Sequence, residues 1–159
     1  MNAHAGPTSF ISPVNFAVKT SDQSRSSTTT AAVDSQLVLT DLATSTTYII
    51  EGKIFASTTS RTPDLKIAFS VPSGAQMDIG YIAGSATTFR RGEWLGVSNA
   101  DSQRIAVATT EPTVIHIKGT ITIGNSIPGD LKLKWAQFAS SANPTTIMKG
   151  SYLRAEPVE

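Results

Sequence analysis

Two histidines, no cysteine and a scatter of carboxylates are the chemistry-bearing residues of this 159-residue chain. His4 lies in a polar N-terminal stretch. His116 alternates with Ile115 and Ile117, a spacing that suits the surface of a strand better than a ligand or a proton shuttle. A zinc centre needs three or four donors brought together. Without thiolates the candidates are scattered carboxylates, so neither a metal nor another cofactor is expected. Asp64, Asp78, Glu93, Asp101, Glu111 and Asp130 fall mostly beside turn residues or strand ends, where solvated charge is the default. A pair of them would have to converge in space to cleave a glycosidic bond, and nothing in their spacing indicates it. Serine and threonine make up roughly a quarter of the chain, well matched to turns and strands. No Gly-x-Ser-x-Gly turn, Walker loop or dinucleotide fingerprint occurs among them. Arg90-Arg91 followed by Trp94 suits stacking and phosphate contact on a single strand of nucleic acid. The simpler reading is two solvated arginines beside a core or interface aromatic. The chain reads as a non-enzyme with no catalytic residue.

Composition narrows the partners. The formal net charge is +1, from 13 basic and 12 acidic side chains, which gives no drive toward nucleic acid or an anionic membrane. No apolar run approaches a membrane span, and the N-terminus lacks the pattern of a signal peptide, so assembly in a cytoplasm is expected. Charged residues are only 16% of the chain while apolar residues are 40%, enough for a core in one domain.

The elements that must position any site are strands. Residues 1–33 read as an extended arm, because the run from Thr20 to Thr30 holds almost no apolar surface. Within the arm, Phe10, Ile11, Val14 and Phe16 form either an N-terminal strand of the same domain or an anchor that orders on a partner. Residues 34–159 form the second unit. Thr47–Ala56 places Tyr48, Ile50, Gly52 and Ile54 on its more apolar face; Leu65–Val71 does the same with Leu65, Ile67, Phe69 and Val71. Met77–Ala83 is another strand, Thr87–Val97 reads as one interrupted near Gly92, and Arg104–Ala108 reads as a short one. Val114–Ile123 puts His116 and Lys118 on one face and Ile115, Ile117 and Ile121 on the other. Gly124–Asp130 resembles a hairpin connection to Leu131–Gln137, in which Trp135 shares a face with Leu131 and Leu133. No helical period is sustained. The expected fold is all-β: an antiparallel β-sandwich, jelly-roll-like, with an N-terminal arm.

Several strings in this order resemble a domain recurrent in tailed-bacteriophage structural proteins. They are Thr47-Tyr48-Ile49-Ile50-Glu51-Gly52-Lys53-Ile54-Phe55, the run Asp64–Gly74, Leu131-Lys132-Leu133-Lys134-Trp135-Ala136-Gln137, and Gly150-Ser151-Tyr152-Leu153-Arg154-Ala155. The resemblance spans roughly residues 35–156 and leaves the arm unmatched. It implies a virion structural role, commonly as a homotrimer. The first expectation is a capsid decoration (cement) protein on the head surface. Its partner would be the major capsid protein, gripped by Phe10, Ile11, Val14 and Phe16 of the arm. Deletion of residues 1–33 would then abolish binding and leave the sandwich folded. The alternative is a tail-fibre or receptor-binding tip, docked on tail proteins and meeting a host surface receptor through loops 57–61 and 139–143. Candidate trimer contacts are Ile115, Ile117 and Ile121, with Trp94 nearby.

Overall fold

The computed structural model describes residues 13–85, 88–94 and 96–158, with only the backbone at residue 88. Twelve strands are present among them and no helix: β1 (Asn15–Val18), β2 (Gln23–Arg25), β3 (Ala32–Leu42), β4 (Thr47–Thr58), β5 (Leu65–Ser70), β6 (Gln76–Ser85), β7 (Thr88–Trp94), β8 (Ser102–Ile105), β9 (Thr113–Thr122), β10 (Gly129–Gln137), β11 (Thr145–Ile147) and β12 (Tyr152–Pro157).

The strands form two antiparallel sheets. The smaller runs β3-β10-β5-β8; the larger runs β1-β12-β4-β9-β6-β7, with β11 joining the far end of β4 and β2 outside it. The pairs β3/β10, β4/β9, β5/β8 and β6/β7 are those of one long hairpin rolled up until alternate strands fall in opposite sheets. That is a jelly roll whose two halves, β3-β10-β5-β8 and β4-β9-β6-β7, face each other in the sandwich, the second widened by β12, β1, β11 and β2.

Period-two patterning decides which side chains enter the core. Along β4, Tyr48, Ile50, Ile54 and Ala56 are buried; along β9, Ile115, Ile117 and Ile121 are. They meet Ile67, Phe69, Leu131, Leu133 and Trp135 from the smaller sheet. Burying a side chain of this size stabilises by about 1.5–3 kcal/mol relative to leaving it in water.

Three readings of the sequence need correction. Gly92 does not interrupt its strand: β7 passes through it, and Gly92 pairs with Tyr81. The glycine is there because a Cβ would lie 2.5 Å from the Tyr81 ring. Residues 124–130 do not make a hairpin, since β9 and β10 lie in different sheets and the connection crosses between them.

The arm is the third. From residue 13 it belongs to the sandwich. β1 pairs with β12 from Asn15↔Ala155 to Val18↔Tyr152, and β2 pairs with β11. Asn15 Nδ2 donates to the Thr40 carbonyl at 2.7 Å, and the Lys19 and Ser151 backbones are tied by a 2.7 Å bond. Lys19 then plunges into the interior, where its Nζ donates to Asp34 Oδ1 and Oδ2 at 3.0 and 2.8 Å. Asp34 also accepts from Trp135 Nε1 at 3.1 Å and from the Gln36 amide at 3.0 Å. The Arg25 guanidinium stacks 4.2 Å from the Trp135 ring centroid and donates to the carbonyls of Ala32, Val33 and Trp135. Burial lowers the Arg25 pKa and the Asp34 carboxylate acts in the opposite direction. A segment too polar to order itself is thus held by charge-assisted bonds to the core.

Candidate functional site

The outer face of the larger sheet carries the sequence's candidate chemistry. Register aligns Tyr152, Lys53, His116, Ile82 and Arg91 in one row across β12, β4, β9, β6 and β7. The next row is Arg154, Glu51, Lys118, Gly80 and Glu93. Gly80 leaves the second row without a side chain between Lys118 and Glu93. There the face dips into an open cleft of about 770 Å³, bounded by Gly80, Tyr81, Ile82, Arg91, Gly92, Glu93, His116 and Lys118.

Charge on this face is mixed. Glu51 is shared by Arg154 at 3.2 Å and Lys118 at 3.4 Å, and Arg154 also bonds Glu156. These exposed pairs are worth little individually, about 0–1 kcal/mol. The cleft offers donors at Arg91 and Lys118, an acceptor at Glu93 and one apolar wall at Ile82. No serine, threonine or cysteine among the described residues lines it beside His116.

Four of the candidate carboxylates, Asp64, Asp78, Asp101 and Asp130, hold turns and strand ends. Asp64, at φ 45°, accepts from Arg104 Nε at 2.9 Å and from the Val107 amide at 3.3 Å, closing one end of the sandwich. Asp78 accepts from the Gly96 amide at 2.6 Å. Asp101 accepts from the Ser98 hydroxyl and amide, both at 2.8 Å, and these bonds hold its carboxyl below the ordinary value. Asp130 is lowered likewise by the Asp41 amide and by Lys132. No group of three or more His, Asp or Glu side chains among the described residues is placed to hold a metal ion. No helix among the described residues is long and apolar enough to cross a membrane.

The residues singled out from sequence separate into three sets. Phe10, Ile11 and His4 lie outside the described residues. Val14 and Phe16 are exposed at 45% and 57%, on the edge of the larger sheet, with Phe16 tilted against Tyr152 at 5.6 Å. Ile115, Ile117, Ile121 and Trp94 are buried within the single chain, Trp94 against Phe69 at 5.7 Å. This corrects their reading as trimer contacts: the alternation that marked them as apolar serves the core, and no surface of theirs remains for another copy. It also removes Trp94 as a stacking platform beside Arg90 and Arg91, which are exposed.

Sequence reasoning missed Lys19, Arg25 and Asp34. A signal was available in Trp135, because a buried indole N–H needs an acceptor. Nothing in the spacing named Asp34 as that acceptor, 101 residues away.

No protein-family model matches the chain, and no curated protein matches it either. Two solved structures of infectious bursal disease virus align with 99% of it: the Gx strain at 13% identity and TM-score 0.25, and the Gt strain at 11% and 0.20. The chain spans 46% and 45% of those chains. Similarity at that level carries no argument about fold or role, and the architecture rests on the strand pairing described above.

Proposed function

We propose that this chain is a non-enzymatic structural protein of a tailed-bacteriophage particle, a homotrimeric decoration protein that reinforces the head by bridging capsid subunits. The observation that carries the reading is the rolled-hairpin topology, an architecture used by viral capsid domains and also by lectins and cupins. Fold alone does not select among those uses. The phage-like strings within β4, β5, β10 and β12 favour the virion, and the engagement of most carboxylates in turn-holding bonds favours a structural role.

The bridging contact, in this reading, starts at β1. Val14, Phe16 and Val18 are exposed at β1, which ends the larger sheet among the described residues, and the chain before them carries Phe10 and Ile11. Apolar side chains grouped at such an edge suit a partner surface. Contacts between copies would use exposed apolar residues such as Ile82 and Phe89, since the core has taken the isoleucines of β9.

The test is the copy number of the chain per purified particle, measured by mass spectrometry against the major capsid protein. Hundreds of copies support decoration. A handful refutes it and moves the protein to the tail, where host contact becomes the leading role. Phe16→Ser with Val18→Ser should abolish binding to undecorated heads while leaving the urea midpoint in place, and retained binding would sink the bridging contact. Deletion of residues 1–33 is unsuitable as a test, because it removes β1, β2, Lys19 and Arg25 and so unfolds the sandwich.

A further inference from the structure

One end of the sandwich holds a second recess, of about 400 Å³, where the ends of both sheets meet. Gly84 and Ser85 at the end of β6, Arg90 on β7, Arg61 before β5, and Ala106–Thr110 after β8 line it. Its charge is unbalanced. Asp64, the carboxylate in the wall, is engaged by Arg104 at 2.8 Å and by the Val107 amide. Arg61 and Arg90 have no hydrogen-bond or ion-pair partner among the described residues, and Glu111 on the neighbouring turn lines a different recess.

A second observation points the same way. The Ser85 hydroxyl is buried and has no hydrogen-bond partner among the described residues. A native protein rarely leaves such a group unsatisfied, since its desolvation is then uncompensated. Here Ser85 lines a recess whose lining also holds the two guanidinium groups without a partner among the described residues, together with Thr109 and Thr110.

We infer that this recess binds an oxyanion carried on a hydroxyl-rich scaffold, an acidic or phosphorylated saccharide unit. Guanidinium forks match the geometry of carboxylates and phosphates. Ser85 and the threonines supply partners for sugar hydroxyls, and the volume suits a ligand of a single ring or two. No aromatic side chain among the described residues lines the recess, which argues against stacking of a neutral sugar as its mode of recognition. The inference stands on this recess alone and is independent of the protein's position in a particle.

The experiment is an NMR titration of the full chain at low salt with glucuronate, glucose 6-phosphate, inorganic phosphate and glucose. Saturable shifts at residues 84, 85, 90 and 106–110 are expected with glucuronate or glucose 6-phosphate, and none with glucose. The tighter of the two acids identifies the anion as carboxylate or phosphate ester. Arg61→Gln and Arg90→Gln, both at exposed positions, should each weaken binding at least tenfold with an unchanged urea midpoint. Ser85→Ala should weaken it several-fold. Glucose binding as well as the acids, or both arginine variants binding like the parent, overturns the inference. Inorganic phosphate binding as tightly as the sugar phosphate overturns its saccharide half.

Discussion

Replacing Asp34 with alanine strips three donors of their shared acceptor inside the sandwich. Lys19 Nζ lies 2.8 and 3.0 Å from the carboxylate oxygens, Trp135 Nε1 3.1 Å and the Gln36 amide 3.0 Å. The side chains of Lys19 and Asp34 are 1% and 0% exposed, so water cannot replace the lost partner. Breaking a buried pair by removing one member costs about 3–5 kcal/mol, because the remaining charge stays desolvated. A domain of this size is stable by only about 5–15 kcal/mol, so the variant should sit near the edge of folding. The loss corresponds to a fall in Tm of about 6–20 °C, at roughly 2–4 °C per kcal/mol for this length. Urea unfolding followed by tryptophan fluorescence reads it directly. Asp34→Asn keeps an acceptor for the indole and should lose slightly less. Pairing Asp34→Asn with Lys19→Met should recover at least about 2 kcal/mol relative to the sum of the single variants. An Asp34→Ala variant within about 1 kcal/mol of the parent, or a cycle with no coupling, would refute the claim that this network holds the N-terminal segment.

Four further outcomes follow from the structure. Gly119→Ala should be among the most damaging small substitutions, at about 3 kcal/mol or more, since its Cβ would lie 2.1 Å from the Asp78 carbonyl oxygen and 2.6 Å from Ile79 Cα. Gly92→Ala should cost less in the same urea assay, because the obstacle there is the Tyr81 side chain and not backbone. Arg25→Lys should destabilise nearly as much as Arg25→Ala, by about 2 kcal/mol, and change the Trp135 emission, because an ammonium cannot both stack on the indole and reach three carbonyls. Asp130 has its folded pKa lowered by the Asp41 amide and Lys132, so its contribution is present above the unfolded carboxylate value and lost as pH falls through the folded one. The gap in urea midpoint between parent and Asp130→Asn should therefore be full at pH 7 and shrink below about pH 4.

Much of the core was legible because burial in a sheet is a local property. A side chain's face follows from its parity along the strand, so Ile50, Ile54, Phe69, Leu133 and Trp135 could be placed inward from spacing alone. The same parity put His116 and Lys118 on the solvent face, where the structure finds them. Parity cannot tell a core from an interface, however, which is why Ile115, Ile117, Ile121 and Trp94 were open to assignment as trimer contacts. Strand partnership is not local either: β9 and β10 follow each other closely yet lie in opposite sheets.

The polar features were the least legible. Lys19 and Arg25 belong to a stretch whose composition reads as an unstructured arm, and only the placement of Asp34 and Trp135 beneath it makes it part of the fold. The recess framed by Arg61, Ser85 and Arg90 likewise gathers segments from β6, β7 and two connections. Alternation along the chain determined an all-β sandwich and most of its interior, because hydrophobic burial acts on each side chain separately. Tertiary structure alone decided the jelly-roll pairing, the buried ionic network and the end recess, because each depends on groups far apart in sequence meeting at hydrogen-bond distance.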